Sequence, residues 1–221
     1  MRNSTVLSLA LLGAVGAAIL GNASASPAAV LAPRPAIDEP AAGSREVAVL
    51  AGGCFWGVEG VYRHVNGVLG VISGYSGGAA STAHYEMTSS GTTGHAEAVR
   101  ILFDPAKISY GQILRIYFSV VADPTEKNRQ GPDTGTQYRS ALFPTSPAQG
   151  RVAHAYIAQL SAAHLYSRPI VTTVEPFKGF FAAEAEHQDF MARNPTYPYI
   201  VVNDRPKVDA LKRQFPAAWR A

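Results

Sequence analysis

Cys54 is the only cysteine in 221 residues, and it stands in the run Gly52-Gly53-Cys54-Phe55-Trp56-Gly57-Val58-Glu59. A thiolate is a strong nucleophile, so a lone cysteine can start covalent or redox chemistry. Taken at random, such a cysteine is more often a small buried hydrophobe. Its position argues otherwise. A short apolar segment from Glu46 to Ala51 has strand length, and Gly52-Gly53 then breaks it in what reads as an exposed turn. Phe55, Val58, Tyr62 and Val65 follow near helical spacing. Cys54 is therefore expected at the first turn of a helix, where free backbone N–H groups and the positive end of the macrodipole favour a thiolate.

Other side chains could take part. His95–Phe103 reads as a strand whose alternation puts Glu97 in phase with Val99, Ile101 and Phe103. A carboxyl group on a buried face is pushed toward its neutral form and can act as a general acid near neutral pH. Pairing with a core Arg, or a place at a strand edge, is an equal alternative. Tyr85 and Tyr138 carry phenols able to hydrogen-bond an oxygen, although on composition each reads first as an ordinary aromatic. Asp133 lies in a long polar loop and reads first as a turn residue. Gly74-Tyr-Ser76-Gly-Gly78 fits the nucleophile elbow of serine hydrolases, but loop composition follows where that motif needs a helix. The six histidines show no close ligand spacing, and no second cysteine completes a zinc site, so no metal is expected.

Around these residues the pattern predicts a second strand at Val68–Tyr75 and a loop over 79–94. A helix capped by Ser109, with Gln112 completing a capping box, carries the apolar residues Ile113 to Val121. A loop over 123–135 precedes a strand at Gln137–Phe143, and a helix opens at Ser146-Pro147. A strand at Ile170–Val174, a helix at Phe180–Ala192 carrying His187 and a short basic helix at Pro206–Phe215 complete the reading. Helices and short strands in this mixture predict an α+β or mixed α/β domain with one helical layer over a sheet.

The length suits one domain with a real core. Net charge is +3 without a dense Lys/Arg block, which gives no nucleic-acid signature. Arg2, an apolar run from Val6 to Leu20 and Ala23-Ser-Ala25 have the layout of a secretory signal peptide over residues 1–25, with an uncleaved anchor as the alternative. Residues 26–44 read as an Ala/Pro-rich extended linker, and 45–221 as the folded domain. Export to a periplasmic or extracellular space is expected.

Gly53-Cys54-Phe55-Trp56-Gly57, Gly74–Gly78, Gly94-His95-Ala96-Glu97-Ala98-Val99 and the run from Asn128 to Ser140 occur in this order. Together they closely resemble the A-type peptide methionine sulfoxide reductases, from about Val47 to about Pro198. The resemblance implies a single α+β domain, a ferredoxin-like core with additions, and a mixed sheet covered by helices. It implies that Cys54 attacks the sulfoxide sulfur, that Glu97 protonates the oxygen, and that Tyr85 and Tyr138 hydrogen-bond it. Phe55 and Trp56 would line the pocket for the S-methyl group, while Asp133 and His187 would contact the substrate or support the site. It further implies a monomer with no cofactor, acting on free or protein-bound methionine S-sulfoxide. The resulting sulfenic acid would be reduced by an external thiol such as a thioredoxin-like protein or glutaredoxin with glutathione.

Three departures stand out. The C-terminal region has none of the resolving cysteines that many relatives carry. Ala122 stands where the family often has His, and Phe190 where a Tyr is common. A free thiol is about 3% thiolate at pH 7, and a helix terminus worth ~1 kcal/mol raises that to roughly 15%, with burial opposing. A positioned acid typically contributes about 10²–10⁴-fold, so Glu97 is expected to matter more than thiol ionisation.

Overall fold

The computed structural model describes residues 30–41 and 43–221, so the expected signal peptide lies outside the described residues. β1 (Glu46–Gly52) runs into α1 (Phe55–Arg63), and β2 (Val68–Ser76) follows. After it come α2 (Tyr85–Ser89), β3 (Ala96–Phe103) and α3 (Tyr110–Ile116). The capping box at Ser109 forms in both directions. The apolar run beyond α3 continues as a π-helical turn, Tyr117–Val121. Two short strands, β4 (Arg129–Gln130) and β5 (Asp133–Thr134), form a separate ribbon, and β6 (Ser140–Leu142) returns to the main sheet. α4 (Pro147–Ala162) starts as expected, with Ser146 accepting from the Gln149 N–H and Pro147 in the first turn. The Gln149 side chain does not close a box; it donates to the Val47 carbonyl and ties α4 to β1. The remainder is β7 (Thr173–Val174), β8 (Phe180–Ala182), α5 (Phe190–Arg193) and α6 (Arg205–Gln214).

The main sheet has the order β7-β6-β1-β3-β2-β8. All its pairings are antiparallel except β6 with β7. Its two faces differ as the alternation in β3 requires. Val99, Ile101 and Phe103 join the large core under the helices, whereas Ala96 and Ala98 lie with Val49, Ala51, Ala141 and Phe143 in a thin cluster on the other face. This is the α+β arrangement expected, with a mixed sheet and one principal helical layer.

Several boundaries differ. The helix expected at Phe180–Ala192 is instead β8, a 3₁₀ turn at Ala185–His187 and the four-residue α5. Edge pairing of Phe180–Ala182 with β2 competes successfully, and Asp189 takes a left-handed φ of 55° that stops any continuous helix. The loop over 79–94 contains α2, which begins at Tyr85. The strand expected from Gln137 begins only at Ser140, because Thr136–Tyr138 coil into a 3₁₀ turn. Of the strand expected at Ile170–Val174, only Thr173–Val174 pairs, at the sheet edge beside β6.

The described part of the Ala/Pro-rich segment is extended and docks on α3 and α4. Ala32 is fully buried, its N–H bonded to Ser119 Oγ and its carbonyl to Arg115 Nε. Tyr156 donates to the Pro33 carbonyl at 2.6 Å, and the Gln159 amide spans Arg34 and Ala36.

Candidate active site

Cys54 sits at the N-cap of α1, one residue beyond a strand-to-helix corner that only glycine can make. Gly53 has φ 89°, and a Cβ there would lie 2.5 Å from Gln130 Cβ. The corner is buried, not exposed: Gly52 and Gly53 are covered and Cys54 is 8% exposed. Gln130 is held under it by exchanging hydrogen bonds with the backbone of Asp123.

α1 is enclosed on nearly every side, and two of its glycines set how closely neighbours approach. A Cβ on Gly60 would strike Met191 Sδ at 2.3 Å, and one on Gly57 would strike Asp204 Oδ1 at 2.1 Å. Buried Glu59 fixes the helix to its surroundings by accepting from Ser73 Oγ at 2.9 Å and from the Asp189 N–H.

Glu97, 3% exposed on β3, accepts a hydrogen bond from the Phe55 N–H at 3.0 Å. This bond brings the carboxyl group to the helix end beside Cys54. Burial raises the Glu97 pKa to about 8, against the lowering effect of that hydrogen bond, with Asp133 and Asp204 adding to the rise. The carboxyl group is therefore largely protonated at pH 7.

Cys54 departs from the sequence expectation. Its pKa is pushed well above the ordinary thiol value, first by burial and then by the negative charges of Glu97 and Asp204, and the Trp56 N–H only partly offsets this. Desolvation together with nearby carboxylates outweighs a helix terminus that contributes at most about 1 kcal/mol at an exposed position. The resting group is a thiol.

All eight residues singled out from the sequence converge here. His187, 8% exposed, packs its ring 5.3 Å from Phe55, 5.9 Å from Trp56 and 4.4 Å from Tyr85. Burial lowers its pKa, so it is neutral at pH 7 and acts as an aromatic wall. Tyr85 opens α2, where Glu184 accepts from its N–H at 2.9 Å and from the Tyr75 hydroxyl at 2.8 Å. Burial raises the Tyr138 phenol pKa, and Glu97, Asp133, Tyr85 and Cys54 lie near enough to add to the rise. Its turn is held by Arg139, which forms a two-pronged ion pair with Glu175 at 2.8 and 2.9 Å and also reaches the carbonyls of Gly94 and Thr136. Asp133 accepts a short hydrogen bond from the Tyr199 hydroxyl.

Sequence reading missed Tyr199 and Asp204. Tyr199 stands edge-on to Trp56 at 6.0 Å, brought there from a segment far along the chain. Asp204 is fully buried at the end of a second π-helical turn, Ile200–Asp204. Nothing local marks it, because its burial depends on Gly57 in a distant helix. Phe190, noted as a departure, stacks flat on Trp56 with centroids 3.7 Å apart.

A buried thiol at the helix end that holds a protonated carboxylic acid, with an aromatic cluster around it and an α+β sheet beneath, fits a cysteine-based enzyme site. The comparisons give this class a family. The family model for peptide methionine sulfoxide reductase matches residues 46–219. The chain is 56% identical over 183 residues to a peptide methionine sulfoxide reductase MsrA 2 of Mesorhizobium japonicum, covering 83% of this chain and 94% of that one. It is 48% identical to an MsrA 2 of Synechocystis, covering 86% and 91%. Among solved structures it resembles reduced Mxr1 from Saccharomyces cerevisiae, with TM-score 0.63, 32% identity and coverage of 73% and 92%. It also resembles methionine sulfoxide reductase A of Corynebacterium diphtheriae, with TM-score 0.59, 29% identity and coverage of 77% and 90%. The chain belongs to the peptide methionine sulfoxide reductases, in their A type. It is an oxidoreductase of that family.

Proposed function

We propose that the enzyme reduces methionine S-sulfoxide, free or in oxidised proteins, by attack of Cys54 on the sulfoxide sulfur with Glu97 as general acid. The observation that carries this reading is the buried Glu97 carboxyl group, fixed by the Phe55 N–H at the helix end that bears Cys54. In the proposed step the substrate's S-methyl group packs on Phe55 and Trp56, and its oxygen faces Glu97, Tyr85 and Tyr138. Glu97 gives its proton to the oxygen as the Cys54 sulfur attacks, and the thiol proton returns to the carboxylate. The substrate sulfur gains two electrons and leaves as a thioether. Cys54 loses two and retains the oxygen as a sulfenic acid.

Two equivalents of an external thiol then restore Cys54 and release water and a disulfide. No second cysteine exists in the sequence to do this internally. A thioredoxin-like protein, or glutaredoxin with glutathione, fits that requirement. Asp133 and His187 serve substrate positioning in this scheme, and export by the N-terminal segment places the repair outside the cytoplasm.

The test is reduction of a chromophoric methionine sulfoxide peptide by dithiothreitol, with Cys54→Ser as control. Turnover of the S epimer by the wild-type chain alone is expected. One turnover without reductant should leave Cys54 heavier by a single oxygen in mass spectrometry. Equal rates for Cys54→Ser, or an unmodified Cys54 after product forms, would overturn the mechanism. Cell fractionation tests export.

A further inference from the structure

Asp204 is fully exposure-free, and neither carboxylate oxygen has a hydrogen-bond partner among the described residues. Buried carboxylates are normally satisfied by several donors, and one that is not needs a reason. Its single ion pair among the described residues is to Lys207, one turn along α6, at 3.5 Å, too long for a good hydrogen bond. The carboxylate is lodged against Gly57, in the first turn of the helix that Cys54 caps, at a spot any larger residue would occupy. The backbone that carries it is a π-helical turn, a local departure from ordinary helix that is frequent at functional sites. A negative charge in that place opposes the positive end of α1.

We infer that Asp204 is a positioning residue whose negative field, moderated by Lys207, holds the reacting pair Cys54 and Glu97 in their neutral, protonated forms. The inference rests on the reaction proposed above, which needs a proton on Glu97 and consumes none overall. The titratable groups coupled to Asp204 by charge are Cys54 at the cap of α1, Glu97 on β3, Asp133 on β5, Tyr199 before the π-helical turn and Lys207 on α6. Among these, Lys207 is the only cation. Burial raises the Asp204 pKa to about 6, with Lys207 opposing, so the field is present at neutral pH. Its effect on Cys54 and Glu97 has the same sign, since both lose a proton to become anionic.

The experiment compares wild type, Asp204→Asn and Lys207→Met. The rate of Cys54 alkylation by iodoacetamide and the rate of single-turnover sulfoxide reduction are each followed against pH. Asp204→Asn should move both the alkylation midpoint and the alkaline limb of reduction to lower pH by ~1 unit, and Lys207→Met should move both to higher pH. A purely structural role would slow both variants without opposite displacements. Superimposable profiles for Asp204→Asn and wild type, or displacement of both variants in one direction, would overturn the inference. Should Asp204→Asn fail to fold, the direction of the Lys207→Met shift decides alone. Alkylation does not depend on sulfoxide turnover. An enzyme that alkylates as expected but reduces nothing therefore refutes the proposed function and leaves the role of Asp204 standing.

Discussion

At the scale of single residues, the proposed mechanism divides the chemistry unevenly between Cys54 and Glu97. What the thiol gains from its helix terminus is outweighed, because burial and the carboxylates of Glu97, Asp204 and Asp133 push its pKa up. In the proposed mechanism the acid carries the step. Replacing Glu97 by Gln keeps an acceptor for the Phe55 N–H but removes the proton, and single-turnover reduction should fall by about 10²-fold or more. The wild-type rate should decline as pH rises through about 8, where Glu97 loses its proton. A thiolate-limited enzyme would instead speed up over that range. Stability follows the same sign. A carboxyl group whose folded pKa is raised contributes stability fully present below its unfolded value near 4.5 and lost as pH rises through about 8. Glu97→Gln should thus raise Tm at pH 9 and leave it unchanged near pH 4, as scanning calorimetry can check.

Among the elements, the decisive contacts are those that bring loops to the end of α1. Gly57→Ala should improve intrinsic helix propensity by about 1 kcal/mol, yet its methyl group would sit 2.1 Å from Asp204 Oδ1. Displacement of a well-packed neighbour costs about 1–3 kcal/mol, so a net loss in urea denaturation is expected, with reduced turnover. Arg139 plays the corresponding part for the Tyr138 turn. Its guanidinium joins Glu175 to the carbonyls of Gly94 and Thr136, just ahead of β3 and Glu97. Arg139→Met should cost about 2 kcal/mol, the range of charged hydrogen bonds. It should also lower kcat/KM by about tenfold, since Tyr138 and the start of β3 would lose their common anchor.

For the whole molecule, the extended segment at 30–41 is part of the fold's outer layer, fastened to α3 and α4 by side-chain bonds to its backbone. Asp38 adds a cap to α3 by accepting from the Gly111 N–H at 2.9 Å. Beside it, Glu39 is raised to about pH 7 by burial, with the neighbouring Glu46 carboxylate contributing. The stability from this group is present below about 4.5 and lost as pH rises through 7. Glu39→Gln should therefore stabilise the protein at pH 8 and not at pH 4. Protease cleavage within the segment should slow accordingly at the higher pH.

Much of this was legible locally. The Gly-Gly-Cys corner, the alternation that buries Glu97, the capping box at Ser109 and the cap at Ser146 are short-range patterns, and each forms where the spacing requires. The segment around His187 was not, because edge pairing with β2 decides between strand and helix there. What the amino-acid order determined by itself was which groups could react and the family they belong to. Their ionisation was decided only in three dimensions. Desolvation and charge depend on what packs around a group, and the carboxylate of Asp204 reaches Cys54 and Glu97 from a segment about 150 residues of chain away from the thiol. From sequence, Cys54 was a thiol modestly favoured by its helix terminus; in the folded enzyme burial and nearby carboxylates raise its pKa, beside a buried and largely protonated Glu97.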